Sequence, residues 1–429
     1  MKILVVTEAY PSPGYPFWGS FNENSVFALA ERCEAVEVLA PRPYVPPLLS
    51  LAHPRWKVYA QIAGQETRNG VPVHRPAYLS IPRVGGAFWA DPGAFLCCLR
   101  TAKNMHRRVR FDAIISFDLV RAGATAWRLG RALGIPASCW ATGSDMRVSA
   151  SSPYGRVLAR AIKHLDVVFY QSRELLGMAA DLLGLAPAQM AWDRHVVLPR
   201  GIHSPPSPPA AGTRERVRGE WGVRNDQVVV LYIGRITRSK GMFELLESVS
   251  LAAVRDPRVI CVLIGSLPAF DETVLIREKL EQIPGLEGRV QILPHCDPDQ
   301  VWEYLRAADI FAFPSHREGM PNSLLEAMAT GLPAVAFAIP PVLELEAGTG
   351  GLIAVPPFDT ASLAGAILRL AASPNERNRV GRRGRARVLD RFTVQKNIVE
   401  ALARVAHVVA EKGGSAAGTL PRLYGPRHR

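Results

Sequence analysis

The chain of 429 residues lacks any long hydrophobic run, since charge or Pro interrupts each apolar stretch well before the roughly 18 residues a membrane-spanning helix needs. That argues against an integral membrane protein. At the start, Ile3 to Thr7 gives way at once to Glu8, too short a stretch for a secretory leader, and reads as a first buried strand. Cysteine pairing signals are missing too. Cys33, Cys97, Cys98, Cys139, Cys261 and Cys296 form no CxxC pair and no Cys/His cluster, which argues against a zinc site and favours reduced thiols in a cytoplasmic protein over disulfides. Acid is in short supply: 38 Asp and Glu face 51 Lys and Arg, a formal net charge of +13. Such an excess suits nucleic acid, an anionic membrane or a polyphosphate ligand. Aromatic residues interleaved with basic ones, the usual mark of nucleic-acid binding, are absent, so no nucleic-acid partner is expected.

What is present is a globular composition, 48% hydrophobic and 21% charged, in a chain long enough for about two or three domains. Short apolar runs alternate with amphipathic stretches. Ile3–Thr7, Ala35–Ala40, Ala113–Ser116, Ala137–Ala141, Val167–Tyr170 and His195–Leu198 read as strands, with helices around Asn22–Arg32 and Val120–Leu133. Ser204 to Thr213 (SPPSPPAAGT) cannot join a sheet or helix interior and marks a linker. Then the alternation restarts. Strands are expected at Gln227–Ile233, Val259–Ile264, Val290–Leu293, Ile310–Phe313 and Ala334–Phe337, with helices between them and a long helical pattern through Ala410. The pattern predicts an α/β fold of two doubly wound Rossmann-like domains facing a cleft, with ligands at the carboxyl ends of the strands.

Two segments carry chemistry. GRITRSKG, Gly234 to Gly241, follows a buried strand and puts Arg235 and Lys240 on one loop, where a guanidinium fork and an ammonium can clamp a diphosphate. It is not a Walker loop, because no Gly immediately precedes Lys240 and Gly241 stands where Ser or Thr belongs. A solvated basic loop would look the same. PSHREGMPNSLLEAMATGLP, Pro314 to Pro333, places Glu318 in a loop and Glu326 in a short helix ended by Gly331 and Pro333. The start of that helix, near Asn322, Ser323 and Leu324, offers free amides and a positive dipole end to a phosphate. Ser323 and Glu326 also fit a capping box, and Glu318 alone would pass for an exposed loop acid.

Together these segments resemble the retaining glycosyltransferases of family 4, which have the two-Rossmann-domain GT-B fold. The likeness is strong from about Val228 to Asp359 and weaker before the linker. It implies that Arg235 and Lys240 hold the donor diphosphate, that Glu318 contacts the transferred sugar and that Glu326 binds the ribose. Gly319, Met320, Asn322, Ser323 and Leu324 complete the donor site, and Arg235, Lys240 and Glu318 carry the catalysis. It further implies retention of anomeric configuration with no cofactor and no obligatory metal. The partners would be a nucleotide diphosphate-sugar donor and a glycan or lipid-linked acceptor, in surface polysaccharide or glycolipid synthesis. The loop Pro11 to Phe21 resembles the family's glycine loop, with Gly19 at the point of close approach and Ser20 and Glu23 spaced to cap the next helix. WATGSDMR, Trp140 to Arg147, resembles a segment usually written with a His where Thr142 stands, and Asp145 is carried over as an acceptor or sugar contact. Residues 1–203 are then an acceptor-binding domain, 204–213 the linker and 214–390 the nucleotide-sugar domain. The helix 391–411 should pack back on the first domain, and 412–429 should form a basic flexible tail. A nucleotide-sugar epimerase, a phosphorylase or a non-catalytic nucleotide-sugar-binding protein on the same frame are the other readings.

Asp297, Pro298 and Asp299 spell D-x-D, a metal signature elsewhere, but Pro at N1 and Gln300 three residues on fit a helix start, and no metal is expected. The basic excess gathers at Arg100, Lys103, His106, Arg107, Arg108 and Arg110, beside the aromatic run Ala87–Leu99. That combination suits an anionic membrane face as well as it suits a solvated helix, giving a cytoplasmic or peripheral, inner-face location.

Overall fold

The computed structural model describes residues 1–16, 18–46, 54–79, 94–143, 145–205, 210–265, 270–294 and 296–413. The chain divides into two units, Met1–Arg200 with Val394–Arg429, and Gly201–Thr393.

In the first unit the strands are β1 (Lys2–Thr7), β2 (Ala35–Leu39), β3 (Arg42–Tyr44), β4 (Gln65–Arg68), β5 (Val71–His74), β6 (Ala77–Leu79), β7 (Ala113–Phe117), β8 (Ala137–Ala141), β9 (Val167–Tyr170) and β10 (His195–Val197). Eight of them form one sheet in the order β10-β9-β8-β7-β1-β2-β5-β4, and β3 pairs with β6. Central strands read as continuous Val, Ile and Ala because both faces are covered. One face packs on the helices Ala94–Val109, Ala124–Leu133, Pro153–His164 and Arg173–Leu183. The other packs on Ser20–Ala30 and on Val394–Glu411, which buries Val394, Ile398, Ala401, Leu402, Val405 and Val409 there. Asn397 Nδ2 donates to the Pro199 carbonyl at 2.8 Å, so the last helix is part of this unit.

The second unit holds β11 (Val228–Ile233), β12 (Val259–Ile264), β13 (Val290–Leu293), β14 (Ile310–Phe313), β15 (Ala334–Phe337) and β16 (Ile353–Val355). They form one wholly parallel sheet in the order β13-β12-β11-β14-β15-β16. The chain runs outward from β11 to β13 and then returns to β14 beside β11, pairing Val230 with Ile310 and Leu231 with Phe311. That reversal opens the crevice between the loops after β11 and β14. Those two loops are the ones that carry Lys240 and Glu318.

Several elements differ from expectation. Val120–Leu133 is not one regular helix: Leu119–Gly123 forms a wide π-turn before Ala124–Leu133, led by Asp118 at φ 69°. The Ser20/Glu23 cap does not form. Gly19 occupies the N-cap without a side-chain bond, and Glu23 pairs with Arg68 at 2.6 Å. The long C-terminal pattern is two helices, Pro374–Arg391 and Val394–Glu411, the first started by the Ser373 side chain and Pro374. All six cysteines are unpaired. Among the described residues no helix is long and apolar enough to cross a membrane. Much of the aromatic run Ala87–Leu99, including Phe88 and Trp89, residues 206–209 of the Pro-rich stretch and the tail from residue 414 lie outside the described residues.

Candidate active site

After β11, Tyr232 turns its hydroxyl onto the Arg235 carbonyl at 2.9 Å, and burial pushes that phenol's pKa up. The loop closes in a single 3-10 turn, Arg238–Lys240, and Gly241 begins the helix Met242–Arg255. Gly241 has φ 75°, and a Cβ there would lie 1.9 Å from the Pro314 carbonyl oxygen. Only glycine permits both the conformation and that approach. The contact presses the loop after β11 against the loop after β14. A second stitch joins them where the His316 amide donates to the Ser239 carbonyl at 3.2 Å.

The result is a close pairing of two of the expected residues, 78 positions apart. Lys240 Nζ lies 2.5 Å from Glu318 Oε1, with the two side chains 19% and 15% exposed. The buried Ser315 hydroxyl donates to the same Glu318 oxygen at 2.9 Å. Arg235 is exposed, and among the described residues its guanidinium makes no hydrogen bond or ion pair. Gly319 and Met320 lead into the helix Asn322–Thr330, whose N-cap is Pro321 with no side-chain bond. Its first intrahelical bond is Leu325 N–H to the Pro321 carbonyl at 3.0 Å, which leaves the amides of Asn322, Ser323 and Leu324 with no carbonyl ahead of them. Gly331 ends the helix at φ 85°, where the sequence places the stop.

Glu326 gains most from the structure. Its proposed capping box with Ser323 does not exist, because the helix begins one residue earlier, at Asn322, with Pro321 as N-cap. Among the described residues its carboxylate has no hydrogen-bond or ion-pair partner, and desolvation raises its pKa to about 7. An unpaired carboxylate in a half-buried position is the pattern expected of a ligand contact. Sequence reasoning missed the second layer. His316 Nε2 meets Glu244 Oε1 at 3.1 Å, and its ring lies 4.5 Å from that of Phe358. Phe358 itself has φ 64° and is 60% exposed, an unusual conformation for a bulky residue.

In the first unit, a Cβ on Gly19, at φ 83°, would meet the Ala9 carbonyl at 2.3 Å. The helix that follows is tied back by Asn22 Nδ2 to the Ala9 carbonyl at 2.8 Å and to Thr7 Oγ1 at 3.0 Å. Arg200 donates to Asn22 Oδ1 and lies over the Phe21 and Phe117 rings; burial lowers its pKa to about 10. Asp145 is buried, and its oxygens accept from the amides of Leu119 at 2.7 Å, Thr142 at 3.0 Å and Gly143 at 2.8 Å. It organises the loop around Thr142 from within. Asp118, which the sequence reading passed over, caps the π-turn through the Arg121 and Ala122 amides; burial, then Glu8 and Asp145, pushes its carboxyl pKa up. Arg121 holds Glu8 in a two-pronged contact at 2.8 and 2.9 Å. The D-x-D of Asp297–Asp299 is a helix start: Pro298 is the first helical residue and Gln300 Oε1 accepts from the Asp297 amide at 3.2 Å.

The family model for glycosyl transferases group 1 matches residues 213–387. A glycosyltransferase named for teichuronic acid biosynthesis, TuaC of Bacillus subtilis (strain 168), is 30% identical over 372 residues, covering 86% of this chain and 89% of that protein. Among solved structures, sucrose-phosphate synthase from Thermosynechococcus elongatus superposes with a TM-score of 0.74 at 20% identity, covering 96% of this chain and 100% of that one. HepE of Anabaena in complex with UDP-glucose gives 0.68 at 17% identity, covering 94% and 99%. At those identities the structural matches carry the fold alone, and the fold is GT-B. With a full-length relative and a matched family model converging on the same segment, the chain belongs to the glycosyl transferases group 1 family and is a glycosyltransferase.

Proposed function

We propose that the protein moves a sugar from a nucleotide diphosphate donor, with retention of anomeric configuration, onto a glycan or lipid-linked acceptor of a surface polysaccharide at the cytoplasmic face of the membrane. The observation that supports the donor class is the Lys240–Glu318 pair, which joins the loop after β11, carrying Arg235, to the loop after β14, which leads to the free amides of Asn322, Ser323 and Leu324. Two cations and a helix N-terminus suit two adjacent phosphates. HepE, of the same fold, was crystallised with UDP-glucose, and TuaC takes its name from teichuronic acid biosynthesis, which supports the donor and acceptor classes.

In the proposed reaction the bond between the anomeric carbon and the donor phosphate oxygen breaks as the acceptor oxygen bonds to the same face of that carbon. The acceptor proton passes to a phosphate oxygen of the departing nucleotide. Arg235, Lys240 and the helix amides take up the negative charge growing on the diphosphate. Glu318 orients the sugar and favours the positive charge spreading over its ring, and Glu326 accepts from the ribose hydroxyls. No protein base and no metal enter these steps. A thermal-shift series with UDP-, GDP- and ADP-sugars identifies the donor, because a bound ligand stabilises by mass action. Lys240→Ala should lower transfer by on the order of 100-fold or more. Near-normal turnover, or no stabilisation by any nucleotide sugar, would refute the reading.

A further inference from the structure

Three neighbouring helices of the first unit, Ala94–Val109, Ala124–Leu133 and Pro153–His164, contain no Asp or Glu at all. Each turns an apolar stripe inward: Cys98, Ala102 and Met105 from the first, Ala126 and Leu129 from the second, Leu158, Ala161 and Ile162 from the third. Their outer sides are basic, exposing Arg100, Lys103, Arg107 and Arg108 on the first, Arg131 on the second, and Arg156, Arg160 and Lys163 on the third. Arg110 follows the first helix directly and is exposed as well. The charges run on from one helix to the next. The Arg128 guanidinium has its pKa lowered by burial and then by Arg160 across the helix boundary. Trp127 sits in that seam, its ring stacked on His164 at 4.8 Å and lying under Arg128 at 4.8 Å and Arg131 at 6.0 Å.

Several cations of this face have no counter-ion among the described residues. Arg108 reaches Glu37 at 3.5 Å, and Arg156 bonds a backbone carbonyl. Arg100, Lys103, Arg107, Arg131 and Lys163 have no carboxylate partner among the described residues. Arginines elsewhere do meet carboxylates, among them Arg68, Arg75 and Arg121 in this unit and Arg214, Arg218, Arg258 and Arg369 in the second. A set of like charges on helices that carry no acid is costly in self-repulsion unless a polyanion faces it.

We propose that this three-helix face docks the protein on an anionic lipid bilayer. Helices laid side by side over a sheet present a broad surface of long, flexible cations, and Leu96, 63% exposed, adds an apolar contact at the start of the first helix. Nucleic acid is disfavoured because Trp127 is stacked on His164 and covered by arginine guanidinium groups, and so offers no face to a base. The inference stands apart from the donor chemistry, because docking is read without substrate.

The test is co-sedimentation of the full chain with vesicles of phosphatidylcholine alone or mixed with phosphatidylglycerol, at low and at high salt. A variant carrying Arg100→Glu, Lys103→Glu, Arg107→Glu, Arg131→Glu and Lys163→Glu changes only exposed side chains. A control with Arg255→Glu, Arg277→Glu, Arg382→Glu, Arg383→Glu and Arg385→Glu changes the net charge by the same amount on the other unit. Melting curves of both report folding. Expected is binding to the anionic vesicles alone, weakened by salt, reduced at least 100-fold in the first variant and retained in the control. Binding equal on neutral lipid, equal loss in both variants, or tighter binding to a single-stranded oligonucleotide than to the vesicles at the same salt would overturn it.

Discussion

Glu326→Gln separates a ligand contact from a structural acid, because it keeps size and shape and removes only the charge. In the folded protein desolvation raises the pKa of this carboxyl from an ordinary 4.5 to about 7. A carboxyl with a raised pKa stabilises the fold most when protonated. That stability is fully present below pH 4.5, is lost as pH rises through about 7, and does not change further above that. At about 1.4 kcal/mol per pH unit, the ionised side chain costs at most about 3 kcal/mol at pH 8, less where water reaches one edge of the carboxylate. The glutamine form escapes this cost. The variant should match the native protein near pH 5 and exceed it at pH 8, by roughly 6–12 °C in melting temperature at about 2–4 °C per kcal/mol. The same change should weaken nucleotide-sugar binding, since an amide offers one acceptor oxygen where the proposed contact uses two. Scanning fluorimetry of both proteins between pH 5 and 8, with and without donor, measures both effects. A pH-independent difference, or a variant less stable than the native protein at pH 8, would show that the carboxylate is satisfied after all and sink the reasoning. Unchanged donor affinity would remove the ribose role while leaving the electrostatics standing.

Phe358→Gly should keep or raise the melting temperature, since it relieves about 1 kcal/mol of left-handed strain and little of the exposed ring is buried. It should lower kcat several-fold with KM for donor nearly unchanged, because His316 loses the ring that holds it against Glu244; a lower melting temperature with full activity would refute this. Asp145→Asn places an NH2 group among three amide donors, so a loss of about 2–4 kcal/mol is expected, read as a lower melting temperature. A normal melting curve with only the acceptor KM raised would instead make it a substrate contact. For Lys240 and Glu318, a double-mutant cycle with alanine should be strongly non-additive, the pair losing little more than the worse single variant; additive losses would mean the two act apart.

Both sheets were readable because buried parallel strands are near-continuous aliphatic runs, and β8, β9, β12, β13, β14 and β15 fall on the expected residues. The hairpin β4–β5 was missed, although Asn69 and Gly70, both with positive φ, lie between its strands and mark the turn. Its strands, QETR and VPVH, are short and polar or contain Pro, so hydrophobic patterning alone is silent there. Arg235, Lys240 and Glu318 were legible as residue types on loops. Their meeting was not, because it depends on the reversal that sets β14 beside β11 and on Gly241 seating under the Pro314 carbonyl. Glu326 shows the reverse failure. Ser323-x-x-Glu326 is a sound capping signal, and it loses to Pro321 and Asn322, which start the helix one residue earlier. His316 and Phe358 carried no signal, since a strained exposed aromatic is visible only in dihedral angles.

The ion pair between Lys240 and Glu318 bears on why donor and chemistry belong to one site. Without a diphosphate, each group is the other's counter-ion, and leaving either alone in a half-buried position would be unfavourable. On the proposed function, an arriving diphosphate supplies a stronger anion to Lys240, with Arg235 and the Asn322 to Leu324 amides completing its shell. Glu318 then keeps the Ser315 hydroxyl as a donor. Its negative charge is thereby released toward the sugar at the moment the leaving group is gripped. Positive groups around the phosphate and one negative group beside the anomeric carbon match the charge pattern of the breaking bond, negative on oxygen and positive on the ring. A resting salt bridge that opens on donor binding therefore holds both halves of that pattern in store and exposes them together.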